Sequence, residues 1–325
     1  MKIKYISKTK HALTVLGITV VLCFSYLSCG KTVDSKQEEK EGKKPRVALI
    51  MKSLANEFFK TMEEGARQHH KEYSSKYDLI VEGIKDELDI NRQVQLVETM
   101  IGQKVDAIVI APADSKALVP VCKRALKAGI IVINIDNRLD VDVIKQNEIQ
   151  IPFVGPDNRK GAKAVGLYLA ERLQPGDPVA IINGVPTAYN AIQRRLGFLD
   201  AIKEKELNLV ADENGDWEMS KANKVVSALM TEKPDIKGIF CANDSMALGA
   251  ISALKTGNFM DKVKVVGFDN ISAANELVQR GELLATADQH ADQLAVYGIE
   301  YALECLKTGK VPEDKETPVD LVIKK

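Results

Sequence analysis

The sequence predicts an α/β protein of two similar lobes, each a parallel sheet wound by helices on both faces. Two observations predict this. First, short strands of nearly continuous Val and Ile alternate with amphipathic helical runs, the pattern of parallel strands covered on both sides. Second, the chain repeats itself. Asp114-Ser115-Lys116-Ala117-Leu118 returns as Asp244-Ser245-Met246-Ala247-Leu248 at an offset of 130, Gly65 returns as Gly197 at 132, and Asp136 returns as Asp269 at 133.

The elements follow in order. Met1 to Lys10 is a basic stretch and Ala12 to Leu27 an apolar run, which together read as a secretion signal covering residues 1–28. The run is short for a spanning helix, which needs about 20 apolar residues. Leu27-Ser28-Cys29-Gly30 resembles the lipobox of bacterial lipoproteins, with Tyr26 where Leu is usual. That resemblance implies lipid on the Cys29 thiol and a place in the periplasm or cell envelope, anchored to a membrane. Residues 29–44 are rich in Lys, Glu, Ser, Gln and Gly and read as a flexible tether. Arg46 to Met51, Asp78 to Glu82, Ala107 to Ala111 and Ile130 to Ile135 read as the strands of the first lobe. Helical runs span Phe58 to Tyr73, Ile90 to Gln103 and Lys116 to Ala128. Pro178 to Ile182, Leu207 to Ala211, Gly238 to Cys241 and Val263 to Phe268 are the matching strands of the second lobe.

Composition excludes several functions. The chain has 325 residues, enough for about two domains, and 28% are charged, as in ordinary globular proteins. Its formal net charge is zero, and residues 1–28 hold four lysines and no acids, so the remainder is slightly acidic. A nucleic-acid partner would call for a basic surface. The cysteines lack zinc-type spacing, and Cys122 and Cys241 read as buried, reduced thiols. His69 and His70 are adjacent, so on a helix their rings diverge, and with lysine neighbours they read as a solvated face. No nucleophile elbow, Walker loop or dinucleotide fingerprint is present. An enzyme is therefore not expected, nor a metal or cofactor.

In open α/β sheets, ligands bind beyond the carboxyl ends of the strands. Two such lobes facing one another form a cleft that closes by a hinge. The residues after the predicted strands are Lys52, Asn56, Phe58 and Phe59, then Asp136, Asn137 and Arg138, then Asn190 and Arg194, then Trp217, Asn243, Asp269 and Gln289. The Asp, Arg, Asn and Gln side chains supply the donors and acceptors that paired sugar hydroxyls need. The aromatic faces suit the C–H surface of a sugar ring, and Trp217, the single Trp, sits in a loop. Bland readings stand beside these. Asp114 and Asp244 each precede a helical run and read as caps, and Phe58 with Phe59 equally reads as a core staple.

These segments resemble the periplasmic sugar-binding proteins of the ribose, allose and galactose type, the substrate-binding components of ABC importers. The likeness runs from about Val47 to Lys325. It is carried by Lys52-Ser53-Leu54-Ala55-Asn56-Glu57-Phe58-Phe59, Ile135-Asp136-Asn137-Arg138, Gln193-Arg194-Arg195-Leu196-Gly197-Phe198, Asp216-Trp217, Phe240-Cys241-Ala242-Asn243-Asp244-Ser245, Val266-Gly267-Phe268-Asp269 and Thr286-Ala287-Asp288-Gln289. The resemblance implies a three-segment hinge crossed near Phe153, Gln289 and Pro318. It divides the chain into an N-terminal lobe of residues 45–153 plus 290–318 and a C-terminal lobe of 154–289 plus 319–325. It implies a monomer that binds a monosaccharide through Lys52, Asn56, Phe58, Phe59, Asp136, Arg138, Arg194, Trp217, Asn243, Asp269 and Gln289 and delivers it to a membrane permease. Ribose binders have Arg directly after the first-lobe Asp, where this chain has Asn137. They have Ser where it has Lys52, a Lys that allose binders share. Both differences favour a hexose. A sensor that presents a sugar or autoinducer to a membrane receptor is the alternative in the same fold. A repressor would need an amino-terminal helix-turn-helix, where this chain has a signal.

Overall fold

The computed structural model describes residues 43–325. The signal, the tether up to Gly42 and Cys29 lie outside the described residues. In chain order the first half runs β1 (Arg46–Ser53), α1 (Glu57–Glu72), β2 (Asp78–Ile84), α2 (Ile90–Gly102), β3 (Ala107–Ile110), α3 (Val119–Lys127), β4 (Ile131–Ile135), α4 (Val141–Gln146) and β5 (Phe153–Pro156). The second half runs α5 (Asn158–Ala170), β6 (Pro178–Asn183), α6 (Tyr189–Glu204), β7 (Asn208–Asn214), α7 (Met219–Glu232), β8 (Gly238–Cys241), α8 (Asp244–Thr256), β9 (Lys264–Val266), α9 (Ser272–Arg280) and β10 (Ala285–Asp288). The chain ends with α10 (Ala291–Thr308), β11 (Lys315–Thr317) and β12 (Asp320–Ile323).

The strands form two six-stranded sheets, ordered β11-β5-β4-β3-β1-β2 and β12-β10-β9-β8-β6-β7. The two orders are the same, so the internal repeat of the sequence is a repeat of topology. All pairings are parallel except β10 with β12. The central strands are buried along their length, as their continuous Val and Ile content requires.

The chain passes between the sheets three times: after Pro156, after Asp288, and between Thr317 and Asp320. The first passage follows Pro156, three residues past Phe153, because β5 still pairs with β11 as far as Pro156. Helix α10, which follows the second passage, returns to lie against α1 of the first lobe, and α5 lies against α6 of the second. The repeated glycines explain both contacts. A Cβ on Gly65 would stand 2.2 Å from the Asp292 carbonyl oxygen of α10, and one on Gly197 would stand 2.3 Å from the Arg159 carbonyl oxygen of α5. Only a residue without a side chain allows each helix pair to approach so closely.

Three local expectations are corrected. Helix α3 starts at Val119 and not at Lys116, because Asp114 Oδ1 accepts from the amides of Lys116 and Ala117 and folds 115–118 into a turn. Asp244 is no cap. Asn243 caps α8 through the Met246 amide, and Asp244 turns inward. His69 and His70 are not on a solvated face: both rings lie against the buried Tyr77, and His69 Nδ1 is 2.9 Å from its hydroxyl. Cys122 and Cys241 are buried free thiols, as is Cys305. Burial pushes the Cys122 thiol up to about 12, so it is inert at neutral pH. No described helix is long and apolar enough to cross a membrane.

Candidate functional site

The strand ends of both sheets converge on one small cavity with a free volume of about 20 Å³. That is room for about one water molecule, so the side chains here are drawn together and a larger ligand enters only when the lobes part. The first lobe contributes Lys52, Asn56, Phe58, Phe59, Glu87 and Asp136, and the second contributes Asn190, Arg194, Trp217, Asn243, Asp269 and Gln289. All but Asn56 are buried. Contacts between lobes close the rim: the Tyr189 amide donates to Ser115 Oγ at 2.9 Å, and the Asn190 amide donates to Asn137 Oδ1 at 3.1 Å.

Local structure aims each side chain. Asn56 and Asn243 cap α1 and α8 through the amides of Phe58 and Met246, so each asparagine is both a cap and a wall of the cavity. Phe58 and Phe59 stand edge to face with ring centroids 5.1 Å apart. They line the cavity and belong to the core at once. Asp136, Trp217 and Asp269 have positive φ, at 60°, 69° and 123°. Residues with a Cβ rarely hold that backbone, and such strain clusters at functional sites. Here it turns the chain sharply at the strand ends and points these side chains inward.

The cavity has two charge groups. In the first lobe, Lys52 Nζ lies 3.3 Å from Asp136 Oδ2 and 3.8 Å from Glu87 Oε2. It also sits 5.4 Å from the Phe59 ring centroid and 5.5 Å from that of Trp217, within cation–π range. Burial pushes the Glu87 carboxyl up to about 7, against the pull of Lys52. In the second lobe, Arg194 donates to Asp269 Oδ1 at 3.2 Å, to the Ala242 carbonyl at 2.9 Å and to Asn158 Oδ1 at 2.8 Å, and its guanidinium lies 3.8 Å from the Phe268 ring centroid. Gln289 donates to the same Asp269 oxygen at 2.7 Å. Burial pushes the Asp269 carboxyl up, while the Arg194 guanidinium 3.2 Å away pulls it down and needs it as a counter-ion.

Four oxygens around this cavity are buried with no hydrogen-bond partner: Glu87 Oε1, Asp136 Oδ2, Asn190 Oδ1 and Gln289 Oε1. Lys52 faces Asp136 Oδ2 without hydrogen-bond geometry. A buried polar atom left unpaired costs about 1–3 kcal/mol, so the wall is set for a ligand that donates several hydrogen bonds. Among the described residues no cluster could hold a metal ion.

Ten of the eleven residues expected from the sequence line the cavity. Arg138 does not. Its guanidinium pairs with Asp314 and stacks 5.1 Å from the Phe153 ring centroid, on an open groove at the hinge side. Asn137 takes the inward position instead, donating to the Pro112 carbonyl at 2.8 Å. Glu87 was missed. It follows β2 as Lys52 follows the core of β1, so the strand-end rule reaches it if applied to every strand.

Behind the cavity, Asp244 braces the loop that carries Asp269. It accepts from the Thr286 hydroxyl at 2.7 Å and from the Ile271 amide at 3.1 Å. Burial pushes its carboxyl up to about 7, against these hydrogen bonds. The native chain thus holds a proton that the unfolded chain loses above about 4. Its contribution to stability is full below that value and is lost as pH rises toward 7. The melting temperature should fall between about pH 4 and 7, and Asp244→Asn should lessen that fall in thermal melts across the range.

The Periplasmic binding protein domain family matches residues 47–310. The chain belongs to this family. It is a family of binding proteins of the periplasm, not of enzymes. The binding protein is 51% identical over 311 residues to the D-ribose/D-allose-binding protein of Pseudomonas aeruginosa, covering 94% of this chain and 96% of that one. Its fold is similar to the crystal structure of an ABC transporter solute-binding protein from Burkholderia multivorans, with TM-score 0.84, 54% identity and coverage of 86% of this chain and 99% of that one. A periplasmic solute-binding protein from Actinobacillus succinogenes with bound D-allose gives TM-score 0.82 at 37% identity, covering 86% and 98%.

Proposed function

We propose that this binding protein captures a monosaccharide, a hexose of the D-allose type, between its lobes and delivers it to the membrane permease of an ABC importer. One observation carries the reading. Two unpartnered oxygens of the first lobe, on Glu87 and Asp136, face two of the second, on Asn190 and Gln289, across one small closed cavity. Each sugar hydroxyl donates one hydrogen bond, so a single monosaccharide satisfies both walls at once. Binding and lobe closure are then the same event. Phe58, Phe59 and Trp217 take the ring faces. Asp136, Arg194, Asn243, Asp269 and Gln289 take the hydroxyls, and Lys52 reaches a group that a pentose lacks. The protein acts as a monomer held to the membrane by lipid on Cys29. Relatives named for D-ribose and D-allose support this ligand class.

A thermal-shift screen of Lys43–Lys325 against pentoses, hexoses, polyols and nucleosides tests it. A ligand that binds only the folded state at 100 times its Kd adds about 2.7 kcal/mol. For a chain of this size that raises Tm by roughly 5–10 °C. D-Allose should give such a shift. A shift from a nucleoside alone would keep the fold and overturn the ligand class.

A further inference from the structure

Helix α9 starts without a cap of its own. Its N-cap residue is Ile271, whose side chain cannot accept a hydrogen bond. The first four amides of a helix have no partner inside it. Here the Ser272 amide donates to Glu57 Oε1 at 2.8 Å, and the Ser272 hydroxyl donates to the same oxygen. Glu57 is the first residue of α1, on the first lobe, and α9 belongs to the second. The cap of α9 therefore comes from the opposite lobe.

Glu57 does not line the cavity, although Asn56 and Phe58 on either side of it do. One turn of α1 thus carries cavity wall and lobe contact together. A carboxylate at a helix N-terminus gains from the free amides and from the helix dipole. That gain exists only while the lobes are closed, because hinge opening parts α1 from α9. On the other rim, Ser115 and Asn137 meet the backbone of Tyr189 and Asn190, so loss of Glu57 weakens closure and does not abolish it.

We propose that Glu57 is a closure latch. By capping α9 across the lobes it sets ligand affinity and residence time without touching the ligand. The proposal rests on the cavity being the ligand site.

The test compares wild type, Glu57→Gln and Glu57→Ala, with D-allose as the probe. Titration calorimetry gives Kd, and stopped-flow Trp217 fluorescence gives the dissociation rate. Glu57→Ala should raise Kd about threefold to tenfold, with most of the change in the dissociation rate. Glu57→Gln keeps an acceptor oxygen without the charge and should fall between. The ligand-free melting temperature, which a merely structural role in α1 would lower, should stay within a degree or so. An unchanged Kd and dissociation rate in Glu57→Ala would overturn the latch and leave the ligand reading intact. If the wild type binds no sugar, the ligand reading fails. Spin labels at Gln95→Cys and Ser227→Cys, one on each lobe, then decide the latch alone. In ligand-free protein the closed form is a minor short-distance population, which Glu57→Ala must reduce about threefold to tenfold, and an unchanged population overturns the latch.

Discussion

Asp269→Ala is expected to raise the Kd for the bound sugar at least about a hundredfold, near 3 kcal/mol. Two losses add up. A charge-assisted hydrogen bond to a buried partner contributes about 1.5–3 kcal/mol, and the sugar hydroxyl that met Asp269 is left dry. Arg194 is also left without its counter-ion, in a site where it is 2% exposed. Its bonds to the Ala242 carbonyl and Asn158 remain, so the guanidinium stays in place and the lobe still folds. Asp269→Asn keeps the shape and removes the charge, and should lose less. Calorimetry on both variants, with circular dichroism melts, separates binding from folding. Unchanged affinity in Asp269→Ala would remove this residue from the site.

Lys52→Met is expected to destabilise the fold strongly. Lys52 Nζ is the cation between Asp136 and Glu87, both buried. Removing one partner of a buried ion pair costs about 3–5 kcal/mol, because the remaining charge has neither water nor counter-ion. In a protein of this size that lowers Tm by on the order of 10 °C. The loss should shrink at acidic pH. Burial already pushes Glu87 up to about 7, so at pH 5 its carboxyl is neutral and no longer needs the lysine. Melts at pH 5 and pH 8 check this. An equal loss at both values would mean that Lys52 acts by packing its stem, not by its charge.

The sequence by itself determined the architecture. Continuous Val and Ile runs require strands buried on both faces, and alternation with helices requires parallel order. The repeat anchored by Gly65 and Gly197 proved to mark the same close helix contact in each lobe. Strand ends are legible because a strand stops where its apolar run stops, and ligand groups in such folds follow those ends. That is why Lys52, Asp136, Trp217 and Asp269 were found. The tertiary structure alone decided which way each of these residues turns. Asp136 sits at positive φ, so the chain reverses there. Asn137 then points inward, and Arg138 points out to Asp314, 176 residues further along the chain. Asp244 had the sequence context of a cap, and only the close approach of Thr286 and Ile271 made it a brace. In its own helix Glu57 is one acid in the first turn. Its partner, Ser272, lies on the other lobe, and no local pattern encodes a contact that exists only when two lobes meet.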